Sequence, residues 1–388
     1  MLRPISLKIH DNPELNFEEF IAHETLTKFL KTRKGWKITP SAYGLKTAFI
    51  AVYDSGKEGS VVSYNAVYDA MKGIGHSSGH NLIAICSVAA ALAAGAAMTK
   101  YCLPGKVILF GTPAEEGGGG KIKLLDAGAY SDYKVDINLI SHAGNVLDTA
   151  LSTSNAYESF KVEYFGKEAH AAANPWTGIN ALDGLITAYN ALSVLRQQTM
   201  PGDVIQGHIT DGGAAPNIIH AYAAGIFVVR AKSKKRLAVL KKKVDKCFVA
   251  GAEATGASLK MTPVMGYDDI VPNRVLGKLC RKAFNDLGGD IMPPELDIIY
   301  GATQASSDEG NVSYAMPSIS LGFKIESEEG LHNPGFVKAA RTIEAHRAAL
   351  RAAQALAVTG LEILTDEELL KAAKREFDEM LENESLEV

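Results

Sequence analysis

Little in this chain marks it for export, for a membrane or for a nucleic acid. Its 388 residues hold four cysteines, Cys86, Cys102, Cys247 and Cys280, widely scattered and with no CxxC pair. That spacing argues against a disulfide framework and fits reduced, mostly buried thiols in the cytoplasm. No stretch reaches the roughly 18 consecutive apolar residues of a membrane span. The longest candidate, Asn81 to Met98, contains Cys86, Ser87 and Gly95 and reads as a helix buried on most sides. The first twelve residues lack a hydrophobic core followed by a small-residue cleavage site, so no secretory signal is expected. There is no basic excess either: the net charge of -4 supplies no field for nucleic acid or an anionic surface. Internal repeats and low-complexity linkers are also missing.

What is present is a globular composition, 47% hydrophobic and 22% charged, on a chain long enough for two or three domains. Phe17 to Leu30 has apolar residues at helical spacing. Lys46–Tyr53 and Ser60–Ala66 read as strands around the turn Asp54-Ser55-Gly56, and KVILFG (Lys106–Gly111) and Asp136–Ser141 read as buried strands. This alternation predicts an α/β domain, a mixed sheet flanked by helices with chemistry at the strand ends.

From about Ser154 the texture changes. Ser159–Tyr164, Asp203–Ile209 and Ala221–Ala231 read as strands, and Asn180–Leu195 and Lys234–Ala254 as helices. That order suggests a smaller α/β sandwich inserted at 155–265. The first domain then comprises 1–154 and 266–388, with helices expected at Arg274–Leu287, Lys338–Leu364 and Asp366–Leu381 and a strand at Met316–Phe323.

Four clusters carry the chemistry. The first, Gly75-His76-Ser77-Ser78-Gly79-His80-Asn81, precedes the Ala-rich helix; alone, its histidines serve equally well as turn residues or caps. The second is Glu115-Glu116 followed by four glycines, directly after a buried strand. Adjacent carboxylates there are costly unless a cation or proton neutralises one, and the glycines would let backbone approach a bulky or charged group. His142 closes another strand, and His332 lies in Gly330-Leu331-His332-Asn333-Pro334; either alone is more often structural. Together, His80, Glu116, His142 and His332 fall at or after strand ends of one sheet, and nitrogen and oxygen ligands of this kind suit zinc. A carboxylate beside a ligand carboxylate is a natural base for metal-activated water.

In sequence the chain resembles the binuclear-zinc family holding aminoacylase, carnosinase and the auxin-conjugate amidohydrolases, on its amidohydrolase and β-alanyl-dipeptidase branch. The likeness runs nearly end to end, through IHDNPELNFEE (Ile9–Glu19), GIGHSSGHN, GTPAEEGGGGK, GKEAHAAANPWTGINALD (Gly166–Asp183), PNIIHAYA (Pro216–Ala223), SSDEGNVSYAMPSI (Ser306–Ile319) and HNPGF. The resemblance implies His80, Glu116, His142 and His332 as metal ligands and Glu115 as general base. It implies a homodimer formed through the inserted module, with His170 reaching the partner subunit's site to stabilise an oxyanion. Asn217 and Arg230 would hold the substrate's carbonyl or carboxylate, and His76 would lie behind the ligands.

The sequence departs from this branch at one expected ligand. Ser78 stands where the branch carries a bridging cysteine, and a neutral hydroxyl is a far poorer ligand than a thiolate. Val67 and Lys72 replace the usual acidic residue and proline around Asp69. Three readings stay open: a metal-dependent amidohydrolase or dipeptidase with a weakened site; a repurposed enzyme forming amides, cyclising or condensing; and a non-catalytic binding protein.

Overall fold

The computed structural model describes residues 1–385, which form two compact units. One comprises residues 1–154, 270–303 and the described chain from 307 onward, the other 155–269 with 304–306. The second unit takes in four residues beyond the expected insert and a short return at 304–306.

The first unit is built on six strands: β1 (Trp36–Pro40), β2 (Phe49–Asp54), β3 (Val61–Val67), β4 (Lys106–Thr112), β5 (Ile137–Gly144) and, late in the chain, a strand at Ser318–Lys324. The second holds four: β6 (Ala156–Phe165), β7 (Val204–Asp211), β8 (Tyr222–Ala231) and β9 (Ser258–Tyr267), so the late strand of the first unit is β10. The larger sheet runs β1-β2-β4-β3-β5-β10. Strands β4, β3, β5 and β10 are mutually parallel, while β1 and β2 join antiparallel at one edge. Parallel strands place their carboxyl ends, and the loops that leave them, on one side of the sheet.

Every residue of β3 is buried, as expected of a central parallel strand covered on both faces. One cover is the helix His80–Tyr101, whose apolar residues lie on all sides rather than in a stripe. By length and composition it could cross a membrane, but 67% of its most apolar window is buried within this fold. The small residues that raise its hydropathy serve packing. A Cβ on Gly95 would stand 3.0 Å from Trp36 and 3.3 Å from Tyr53, and the helix also packs against Ile343–Thr365, itself rich in buried alanines.

Two expectations are revised. The helix predicted over Lys338–Leu364 is two helices, Pro334–Ala340 and Ile343–Thr365, because Thr342 adopts an extended conformation and caps the second by accepting from the Ala345 N–H. Strand β9 is not legible from periodicity: it carries Pro263, has half of its residues exposed, and sits at an edge of the β7-β8-β6-β9 sheet, where a missing N–H is tolerated. In that second unit the helices Ala181–Leu195 and Lys234–Thr255 pack on each other and on the sheet around Phe160, Phe227 and Phe248.

Gly111, on β4, lies opposite Phe49 of β2, and a Cβ there would stand 2.1 Å from the fully buried Phe49 ring. Gly111→Ala is therefore expected to cost about 1–3 kcal/mol through overpacking, read as a lower urea midpoint with unchanged m-value.

Candidate active site

Three of the four clusters follow the carboxyl ends of β3, β4 and β10, and His142 lies near the carboxyl end of β5 itself. After β3 the chain passes Asp69 and turns through Gly79, whose φ of 70° is left-handed, into the helix that opens with His80. His80 is 1% exposed. Its Nδ1 donates to the Asp69 carbonyl at 2.9 Å and to Asp69 Oδ1 at 3.1 Å. Nε2 is buried and has no hydrogen-bond partner.

Around this orphaned nitrogen lie the two carboxylates from the loop after β4. Glu115 Oε2 is 3.6 Å and Glu116 Oε1 3.9 Å from His80 Nε2. Ligand atoms of the three residues all fall within 4.8 Å of one another. These separations are too long for direct hydrogen bonds and suit a shared cation. His332 Nε2 approaches Glu116 Oε1 at 3.6 Å, while its backbone N–H donates to the Ser77 carbonyl, tying the last loop to the first. His142, on β5, has its ring 6.0 Å from that of His80, edge-on, and its Nδ1 donates to the Ala143 carbonyl at 2.8 Å. With the Nδ1 proton so engaged, the neutral ring carries its lone pair on Nε2.

Electrostatics follow from the crowding. Burial disfavours a charged His80, yet Asp69, Glu115 and Glu116 together outweigh it and lift the imidazole to about 10. The carboxylates thus favour positive charge at this point, whether a proton or a cation carries it. Burial and the neighbouring Glu116 push Glu115 up. Glu116 goes the other way: burial opposes its ionisation, but His332, His80 and the Ser78 hydroxyl more than compensate. Burial and the nearby His80 hold His142 down at about 4, neutral and fit to be a ligand.

Ser78 Oγ donates to Glu116 Oε1, so the hydroxyl is spent on a carboxylate. The glycines after Glu116 are required chiefly by the loop's own path. A Cβ on Gly118 would lie 2.4 Å from that of Ala114, and one on Gly120 1.8 Å from the Pro113 carbonyl oxygen.

The remaining predicted residues are elsewhere. His76 Nε2 donates to the Ile9 carbonyl, 3.1 Å away, and its ring lies stacked against His10. His170, Asn217 and Arg230 belong to the second unit. His170 and Asn217 are exposed. Arg230 is half-buried, over the Tyr157 ring and donating to Ser306 Oγ at 3.0 Å. Sequence reasoning did not anticipate the buried Lys121–Asp308 pair beside the site. Both side chains are fully buried, and Asp308 accepts from the Lys121 ammonium and, at 2.9 Å, from its backbone N–H. No motif pairs residues so far apart in sequence. Lys121→Met should strand the Asp308 charge and cost about 3–5 kcal/mol in urea unfolding, with part of the loss recovered in the double variant carrying Asp308→Leu.

Known proteins resemble this chain over its whole length. Residues 156–255 match the peptidase dimerisation domain of the M20 type. The mouse (Mus musculus) Xaa-Arg dipeptidase is 38% identical over 396 residues, spanning 99% of this chain and 90% of the relative. One of the subunits of the Escherichia coli K12 p-aminobenzoyl-glutamate hydrolase is 26% identical, spanning 98% and 92%. Among solved structures, a dinuclear metal-binding peptidase of the M20 family from Bacillus subtilis superposes with a TM-score of 0.67 at 19% identity, covering 93% of this chain and 98% of that one. The likeness thus spans the whole chain and both of its units, and the chain belongs to the M20 peptidase family of enzymes that hydrolyse amide and peptide bonds.

Proposed function

We propose that the chain is a metal-dependent dipeptidase or amidohydrolase, cleaving the amide bond of an N-acyl amino acid or small dipeptide-like substrate with zinc as its metal. The observation that carries this proposal is the buried, unpartnered His80 Nε2 facing two carboxylates. Its donor set would comprise His80, Glu116, His142 and His332. When bound, a divalent cation supplies Lewis acidity toward the carbonyl and lowers the pKa of water.

The chain's own residues do the rest. Glu115, raised by burial toward neutral pH, takes a proton from the attacking water and returns it to the leaving amine. Asp69 holds the His80 tautomer through Nδ1 and accepts from the Glu116 N–H at 2.9 Å. His170 is assigned to oxyanion stabilisation in a partner subunit's site. Its Nδ1 accepts from the backbone N–H groups of Ala172 and Ala173, which leaves Nε2–H as a donor. Asn217 and Arg230 are assigned to the substrate's carbonyl or carboxylate.

The homodimer this requires would use the second unit. That unit exposes Ile186, Tyr189 and Val194 on the helix Ala181–Leu195 and an unpaired edge at β7. The mouse and human relatives are Xaa-Arg dipeptidases, so dipeptides with a basic carboxyl-terminal residue are the substrates to try first. The four free cysteines fit a reducing cytoplasm.

Ser78 limits the metal rather than abolishing it. A neutral hydroxyl that donates to Glu116 cannot bridge two cations as a thiolate does, so single-ion occupancy is expected. Elemental analysis of protein purified without chelator should find at most one zinc per chain, and Ser78→Cys should raise it. Thorough chelation should eliminate turnover, with zinc, manganese or cobalt restoring it. Full activity in metal-free protein would refute the proposal. Glu115→Gln should lower kcat by about 10²–10⁴-fold with KM little changed, since it removes a proton acceptor and keeps its shape.

A further inference from the structure

Glu115 and Glu116 sit on a loop whose backbone is pinned by a segment about a hundred residues earlier. Ala114, immediately before Glu115, is buried with a φ of 58°, a left-handed conformation that a residue with a Cβ adopts only when its surroundings impose it. Its N–H donates to Glu19 Oε1 at 2.9 Å. The same oxygen accepts from the Phe17 N–H at 3.0 Å, and the other accepts from Thr47 Oγ1 at 2.7 Å. Glu19 is fully buried.

One residue past Glu115, the Glu116 carbonyl accepts from Asn16 Nδ2 at 2.7 Å, opposite the Glu116 N–H held by Asp69. Phe17 closes the bracket, its ring so near Gly118 that a Cβ there would come within 2.9 Å of it. The segment's other glutamates do different work. Glu14 accepts from the Ile21 and Ala22 N–H groups at the start of the helix Phe20–Lys31, and Glu18 is exposed.

We propose that Asn16 and Glu19 are positioning residues that bracket the Glu115–Glu116 pair, fixing by backbone hydrogen bonds where the base and its neighbouring ligand point. Resting on the hydrolase function proposed above, this adds that the aim of the pair is set from outside the metal site. Two adjacent carboxylates repel each other, and without external anchors the loop would relax by swinging one of them outward. Catalysis is sensitive to such shifts: a displacement near 1 Å costs on the order of 10²-fold in rate.

The test compares Asn16→Asp, Glu19→Ala, Glu19→Gln and, as a control on the same segment, Glu18→Gln. Asn16→Asp preserves shape but removes the donor and sets a carboxylate against the Glu116 carbonyl. It should lower kcat by about tenfold with KM and melting temperature close to wild type. Glu19→Ala should lower kcat by about 10²-fold. Glu19→Gln retains an acceptor for the Phe17 and Ala114 N–H groups and should restore most of the loss. Hydrogen–deuterium exchange across residues 113–119 provides a readout independent of turnover. It should quicken in Asn16→Asp and Glu19→Ala and stay at wild-type rates in Glu19→Gln and Glu18→Gln. Wild-type kcat and wild-type exchange in folded Asn16→Asp and Glu19→Ala would overturn the proposal, and should Glu19→Ala not fold, Asn16→Asp decides. If the wild-type protein hydrolyses none of the candidate substrates, the hydrolase proposal fails, while the exchange measurements still decide the bracket.

Discussion

Asp69, His80, Glu115 and Glu116 are gathered where water hardly reaches, and much of the first unit answers the demand this creates. Three acidic groups about one buried imidazole would repel one another apart if they stood alone. Each is instead given a partner: Asp69 takes the His80 Nδ1–H and the Glu116 N–H, Ser78 and His332 lean on Glu116, and Lys121 with Asp308 lies close by. One nitrogen, His80 Nε2, is left over. Buried and facing the Glu115 and Glu116 carboxylates, that nitrogen is a natural place for a cation.

Parallel strand order makes this possible. Because β4, β3, β5 and β10 run the same way, four loops from distant parts of the chain leave the sheet on one side. These loops include left-handed residues at Gly79, Ala114, Gly117, Gly119 and His332.

Ser78 changes the electrostatics more than the shape. A thiolate would add a negative charge and a soft donor to an already acidic site, whereas the hydroxyl adds a proton donor that quiets Glu116. The surrounding frame therefore stays that of the M20 family even though one expected ligand differs. Across the family frame, 38% identity to a dipeptidase and superposition on a remote metal-binding peptidase coexist, because the sheet and its loops constrain the chain more than individual side chains do.

Buried strands and amphipathic helices were legible in the sequence because burial imposes periodicity and apolar runs: KVILFG, the Ala-rich helix after His80 and the strands around Phe160 and Phe227 announce themselves in this way. The histidines and carboxylates around His80 could be read as a candidate set only by taking several strand ends together, since a single histidine beside glycines has ordinary structural uses. Edge strand β9, with its proline and exposed face, left no such signal, and the break at Thr342 depends on one residue's extended backbone. The pairing of Lys121 with Asp308 and the bracket of Asn16 and Glu19 on the Glu115–Glu116 loop were invisible for a deeper reason. Hydrogen bonds between residues about one hundred to two hundred positions apart leave no local pattern, so only the folded sheet, by bringing those segments together, decides which donor meets which acceptor.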